Sequence, residues 1–103
     1  MKLELADFFE KVSLVNNRSV ETAVPKLLEM VKDYDEIIYT KPMEYYDVYD
    51  ALIWLGRLND YGKKMTLSDE TIKNILKPFE EDKLKNDRWL VIAEWIIRLT
   101  QKL

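Results

Sequence analysis

The chain has 103 residues, of which 48% are apolar and 34% charged, and its formal net charge is −3. This balance predicts one globular domain covering residues 1–103 and excludes a disordered chain. Cysteine and histidine are both absent, which excludes disulfides and removes the commonest general base and metal ligand. We therefore expect neither an enzyme nor a cofactor. Acids near the N-terminus (Glu4, Asp7) argue against a signal peptide, so the expected location is cytoplasmic.

Two helices are predicted in the first 40 residues. The first has apolar residues at spacings of three and four, which place them on one helical face: Leu5, Phe8, Phe9, Val12 and Val15. Thr22 is the predicted N-cap of the second helix, because it places Pro25 in the first turn, where a missing N–H costs nothing. The apolar side of this helix is expected to extend to Ile38.

The middle of the chain predicts two more helices. The third should run from about Pro42 to Tyr61 and end at Gly62, a residue suited to a left-handed C-cap. A loop is expected over residues 63–67. Ser68 should then cap the fourth helix, with acids in its first turn.

The last helix is predicted from Asp87 to Leu103, with Asn86 or Asp87 as its cap. Between Trp89 and Leu99 it is apolar nearly all round, and such a helix is usually buried. It is too short and too charged to span a membrane. We therefore expect the preceding helices, or a second copy of the chain, to surround it.

Five helices and no convincing strand predict an all-α fold, a compact helical bundle. The segments Trp54–Leu58 and Trp95–Leu99 share the pattern Trp, aliphatic, any residue, Arg, Leu. This weak repeat resembles HEAT-type repeats, which would imply two stacked αα-hairpins preceded by the N-terminal helix. An irregular bundle with chance similarity fits the sequence equally well.

The strongest compositional anomaly lies between Glu29 and Asp50, and we call it the acidic window. Seven acids and two lysines give it a charge of −5, and it holds five of the six tyrosines. Acids steer association with a basic partner, and tyrosines are common interface anchors. The alternative is that the acids form a solvated face and the tyrosines half-bury at a helix seam.

If the acidic window is an interface, a protein partner with a basic surface should contact one set of acids and aromatic residues. The predicted partner-binding residues are Asp33, Asp35, Glu36, Tyr39, Glu44, Tyr46, Asp47, Asp50 and Trp54. Glu44, Asp47 and Asp50 lie three residues apart on one helical side, a spacing that paired catalytic or metal-binding carboxylates can also use. Known carboxylate bundles add histidines, which are absent here, so metal binding and catalysis are the least favoured interpretation.

Two segments of the acidic window resemble inhibitors of nucleases. Asp35–Pro42 resembles an element of the helical immunity proteins that neutralise DNase colicins, and Glu44–Trp54 is similar to the inhibitory helix of barstar. Both resemblances imply a protein that covers the basic active site of a nuclease. The spacings differ, and the barstar fold is α/β, so we transfer no residue and assign no family.

The sequence thus favours a small, acidic, non-enzymatic inhibitor of the toxin-immunity, antitoxin or phage-encoded type. A nuclease toxin is one partner of this kind. The alternative is a structural assembly subunit that uses its apolar last helix, and the chain is accordingly expected to be a monomer or a homodimer. Nucleic acid and membrane are not expected partners, because the net charge is negative and no phosphate-binding loop is present.

Overall fold

The computed structural model describes residues 1–80 and 87–101. Helices and short strands alternate through most of this part of the chain, with a 3₁₀ turn at Lys77–Phe79 after the fourth helix. The elements are β1 (Lys2–Glu4), α1 (Leu5–Ser13), α2 (Val20–Val31), β2 (Glu36–Ile38), α3 (Tyr45–Asp60), β3 (Thr66–Leu67), α4 (Asp69–Leu76) and α5 (Asp87–Thr100).

The prediction of an all-α fold is wrong, because the three strands form a parallel sheet in the order β1-β2-β3. Leu3 is paired with Ile37, and Ile37 with Leu67, so these three residues form one row across the sheet. All three are buried in the core. The protein is therefore a small mixed α/β domain, and the stacked αα-hairpins of a HEAT-like arrangement are not formed.

The strands escaped prediction because they are only two or three residues long. Such a strand is too short to show an alternating pattern. Ile38, expected on the second helix, ends β2, and the expected loop over residues 63–67 contains β3. What stabilises these strands is pairing between distant segments and the burial of the Leu3–Ile37–Leu67 row.

Helix α3 is the central element of the fold. It contacts α1, α2 and α5, and seven of its sixteen residues are buried. Because α3 packs against helices on several sides, its apolar residues are not confined to one face. Its predicted end is confirmed, since the helix stops at Asp60 and Gly62 has a φ of +103°. Its start lies three residues beyond the predicted Pro42, with Glu44 at the N-cap position.

The N-termini of the other helices were predicted with mixed success. Ser68 is confirmed as the N-cap of α4, because its Oγ accepts a hydrogen bond from the Thr71 N–H at 3.1 Å. For α2 the prediction of Thr22 is wrong: Ser19 holds the N-cap position, and Pro25 lies inside the helix. Asp87 is the first residue of α5, whereas the other cap candidate, Asn86, lies outside the described residues.

In the described part of the chain, the preceding elements cover only one face of helix α5, so burial of the other face by a second copy of the chain stays a prediction. Ile92, Ile96 and Leu99 are buried, but Leu90 and Ile97 on the opposite side are 61% and 58% exposed. The helix therefore packs with one face against α3 and leaves the other open. None of the helices in the described part of the chain is long and apolar enough to cross a membrane.

Candidate functional site

The predicted binding residues do not form one surface, because two of them are buried. Tyr39 is 6% exposed, and its hydroxyl accepts a hydrogen bond from the Met43 N–H at 3.1 Å. Trp54 is 3% exposed, and the Arg57 guanidinium lies 4.6 Å from its ring centroid. In this conformation neither side chain can reach a partner. Tyr39 is thus a core residue that follows β2, whereas the half-burial that we weighed for the tyrosines applies to Tyr34, Tyr45 and Tyr49.

A second group of predicted residues lies where the chain enters β2. Asp33 and Asp35 are exposed and Glu36 is half-buried. Oδ1 of Asp35 lies 3.1 Å from the Met1 ammonium, and this hydrogen bond and charge lower the pKa of the Asp35 carboxyl. Glu36 Oε2 lies 3.9 Å from Lys2 Nζ. Two of these three acids thus already have a cation beside them.

The remaining predicted residues lie at the start of α3, and we call Glu44, Tyr46, Asp47 and Asp50 the α3 acidic face. Glu44 is exposed, Asp47 and Asp50 are half-buried, and Tyr46 is 60% exposed. The Tyr46 ring meets Tyr45 edge to face, with 5.5 Å between centroids. Within the described residues, no cation lies within 4.0 Å of the three carboxylates.

The helix dipole explains why acidic residues are favourable at two of these three positions. Glu44 at the N-cap position and Asp47 in the first turn lie near the positive end of the helix dipole, where acids are favourable. Asp50 is the sixth residue of α3, beyond the first turn over which this effect falls off. Its charge therefore has no explanation in the stability of the helix.

A carboxylate that the sequence did not single out, Glu4, is buried at the end of β1 and 7% exposed. Its oxygens accept three hydrogen bonds, from the Thr40 N–H (2.8 Å), the Thr40 hydroxyl (2.8 Å) and the Lys41 N–H (2.9 Å). Burial raises the pKa of this carboxyl, but the three bonds together outweigh burial and lower it below its ordinary value. Glu4 thus holds the segment that leads from β2 towards α3.

A cavity lies at the opposite end of α3, where α3, β3 and α5 meet. Its volume is about 640 Å³, and its lining includes Gly56, Asp60, Lys64, Leu67, Arg98 and Leu99. Helices α3 and α5 contact each other here: Trp95 lies against Gly56, and Arg98 bonds to Asp60 one turn further on. No group of three or more His, Cys, Asp or Glu side chains in the described residues could hold a metal ion.

The repeated Trp-x-x-Arg pattern has the same local geometry in both helices. Arg57 lies over Trp54 at 4.6 Å and Arg98 over Trp95 at 5.0 Å. The resemblance between the two segments is thus a shared cation–π pair one helical turn apart.

Comparisons with protein families, curated proteins and solved structures found no match to this chain.

Proposed function

We propose that this protein binds a macromolecular partner with a basic surface through the α3 acidic face, and that it acts as an inhibitor. Toxin-immunity proteins, antitoxins and phage-encoded inhibitors are the classes that this chemistry suits. A nuclease toxin is one such partner, because its active site must attract phosphate with cations. A non-enzymatic role and a cytoplasmic location belong to the same proposal.

The observation that carries the proposal is the unpaired charge of Asp50. Some other acids in the described residues do have a cation nearby: Asp7 lies 3.7 Å from Lys41 Nζ, and Asp60 lies 2.9 Å from Arg98. The exposed Glu10 and Glu21, like Asp50, have no described cation within 4.0 Å, but neither belongs to a row of three acids that all lack one. Like charges at helical spacing repel by a few tenths of a kcal/mol per pair. A row of three acids that includes Asp50 therefore costs some stability locally, and that cost is offset if a basic partner binds there.

Tyr46 supports the same surface. It is more than half exposed beside Asp47 and Asp50, and its ring is backed by Tyr45. An exposed tyrosine flanked by acids supplies a large contact area and has few side-chain torsions that must be fixed on binding. The segment Glu44–Trp54 resembles the inhibitory helix of barstar in sequence. Because this protein has a parallel sheet, its fold class no longer differs from the α/β class of barstar.

The test is affinity capture from the source cell with immobilised variants. Asp47→Lys/Asp50→Lys should lose a partner that the wild type retains. Glu10→Lys/Glu21→Lys is the matched control, because it makes the same change in net charge at two exposed acids of α1 and α2. If all three proteins retain the same partners in equal amounts, the α3 acidic face is only solvated and the proposal fails.

Self-assembly through α5 is the second candidate, and the exposure of Leu90 and Ile97 favours it. The two residues lie seven positions apart, on one side of the helix. Leu90→Glu/Ile97→Glu should convert a dimer into a folded monomer in sedimentation experiments. A wild-type protein that is already monomeric at micromolar concentration would exclude this candidate.

A further inference from the structure

The cavity between α3, β3 and α5 combines an apolar floor with charged groups at its margin. Met65, Leu67 and Leu99 line it and are 2%, 7% and 8% exposed. Its volume of about 640 Å³ lies within the range of small-molecule sites. Among the described residues that line it, Lys64 and Arg98 are the cations and Asp60 is the acid.

The Arg98 guanidinium is held in place while most of its donors remain available. Nη2 bonds to both carboxylate oxygens of Asp60, at 2.9 and 3.0 Å, and Cζ lies 5.0 Å from the Trp95 ring centroid. Neither Nη1 nor Nε bonds to any residue that the structure describes. A planar guanidinium held in this way is suited to binding an anion, because little side-chain freedom is lost on binding.

Gly56 also contributes to the position of the Arg98 guanidinium, through its contact with Trp95. A Cβ at position 56 would overlap the Trp95 ring, with Cε3 and Cη2 only 2.7 and 3.0 Å away. The absence of a side chain therefore allows the edge of the Trp95 ring to approach α3 closely, with Arg98 over the ring. This gives a physical reason for a glycine in the middle of a helix, where it costs about 1 kcal/mol relative to alanine.

Lys64 supplies the second positive charge. Its Nζ lies 3.4 Å from the Asn59 carbonyl oxygen, a long contact. No described carboxylate lies within 4.0 Å of it.

We propose that this cavity binds a small organic anion with an apolar body, such as an aromatic carboxylate or sulfonate. The apolar part contacts Met65, Leu67 and Leu99, and the anionic group binds Arg98 and Lys64. This site is separate from the α3 acidic face and does not depend on the proposed function.

The probe is 1-anilinonaphthalene-8-sulfonate, titrated by its fluorescence, with N-phenyl-1-naphthylamine as the neutral control that has the same rings without the sulfonate. The wild type should bind the sulfonate at one saturable site. Arg98→Gln and Lys64→Gln should each weaken it on the order of ten-fold, the usual effect of losing a charge-assisted hydrogen bond. Binding of the neutral control should change less than two-fold.

Asp60→Asn is the decisive comparison, because it breaks the same ion pair as Arg98→Gln but leaves both cations. It should strengthen sulfonate binding, whereas Arg98→Gln weakens it. Lys73→Gln, on the exposed side of α4, should have no effect. Because Lys64 has no carboxylate partner in the described residues, Lys64→Gln tests the site without loss of an ion pair.

Three results would each overturn the proposal. The first is sulfonate binding that does not saturate, and the second is equal responses of the sulfonate and the neutral control to the variants. The third is a change in the same direction for Asp60→Asn and Arg98→Gln, which would show that only the structural ion pair matters.

Discussion

Two regions of this molecule use carboxylates in opposite ways. At the end of β1, Glu4 is almost fully buried and accepts three hydrogen bonds from Thr40 and Lys41. At the start of α3, Asp47 and Asp50 are accessible and have no cation within 4.0 Å in the described residues. The Glu4 carboxylate is buried and hydrogen-bonded within the fold, so it cannot bind a partner. The others are available, and this difference separates a structural acid from a candidate interface acid.

The largest effect is expected from Glu4→Ala. It removes the acceptor of three hydrogen bonds and leaves two backbone N–H groups without it. Hydrogen bonds to charged groups contribute about 1.5–3 kcal/mol, so the free energy of unfolding should fall by about 2–3 kcal/mol in urea denaturation. Glu10→Ala, an exposed acid of α1, should change it by less than about 0.5 kcal/mol. Equal losses for both variants would contradict a special role for Glu4.

Gly56→Ala should destabilise the protein next most strongly. In an open helix this change would stabilise by up to about 1 kcal/mol, but here the new Cβ overlaps the Trp95 ring. Overpacking should reverse the sign and cost about 1–3 kcal/mol in the same denaturation experiment. The variant tests the C-terminal half of α3, where Gly56 contacts Trp95 of α5. A gain in stability would show that Trp95 does not lie on Gly56.

A smaller effect on the free energy of unfolding is expected from the protonation of Glu4 at low pH. The pKa of Glu4 is lower in the folded protein than its ordinary value of 4.5, so the folded state prefers the ionised carboxylate. The stability that it contributes is complete above pH 4.5 and is lost as the pH falls through the folded pKa. Glu4→Gln should flatten this part of the stability–pH curve. An unchanged curve would mean that other groups control the acid sensitivity.

The smallest effect on folding is expected from Asp47→Lys and Asp50→Lys. Both side chains are partly accessible and have no described cation within 4.0 Å, so each variant should change the free energy of unfolding by less than about 0.5 kcal/mol. Asp47→Lys should be the more costly of the two, since it reverses a favourable charge in the first turn of α3. A loss above 1 kcal/mol for Asp50→Lys would show that this acid is structural.

Local features of the fold could be predicted from the sequence where one residue determines the backbone. Gly62 ends α3 and Ser68 caps α4, because each relies on its own conformation or its own hydroxyl. The sheet could not be predicted in this way. Its strands are stabilised by the pairing of Leu3, Ile37 and Leu67, which lie at least 30 residues apart along the chain.

The candidate site was predictable only in part. An acid and tyrosine cluster is visible in the sequence, but burial decides which members can reach a partner, and Tyr39 and Trp54 cannot. Glu4 had one usable signal, a single acid between Leu3 and Leu5, both of which are buried. The Asp60–Arg98 pair had none, because 38 residues separate the two side chains.

We propose that the α3 acidic face binds a partner, and that the charge of Asp50 in particular does not stabilise the fold. The most direct measurement is the association rate constant with the captured partner at low and at physiological ionic strength. For the wild type it should be high and fall with added salt, because steering between opposite charges is screened. Asp47→Lys/Asp50→Lys should associate slowly, with little dependence on salt, while folding normally. Equal rates and equal salt dependence for both proteins would contradict the claim.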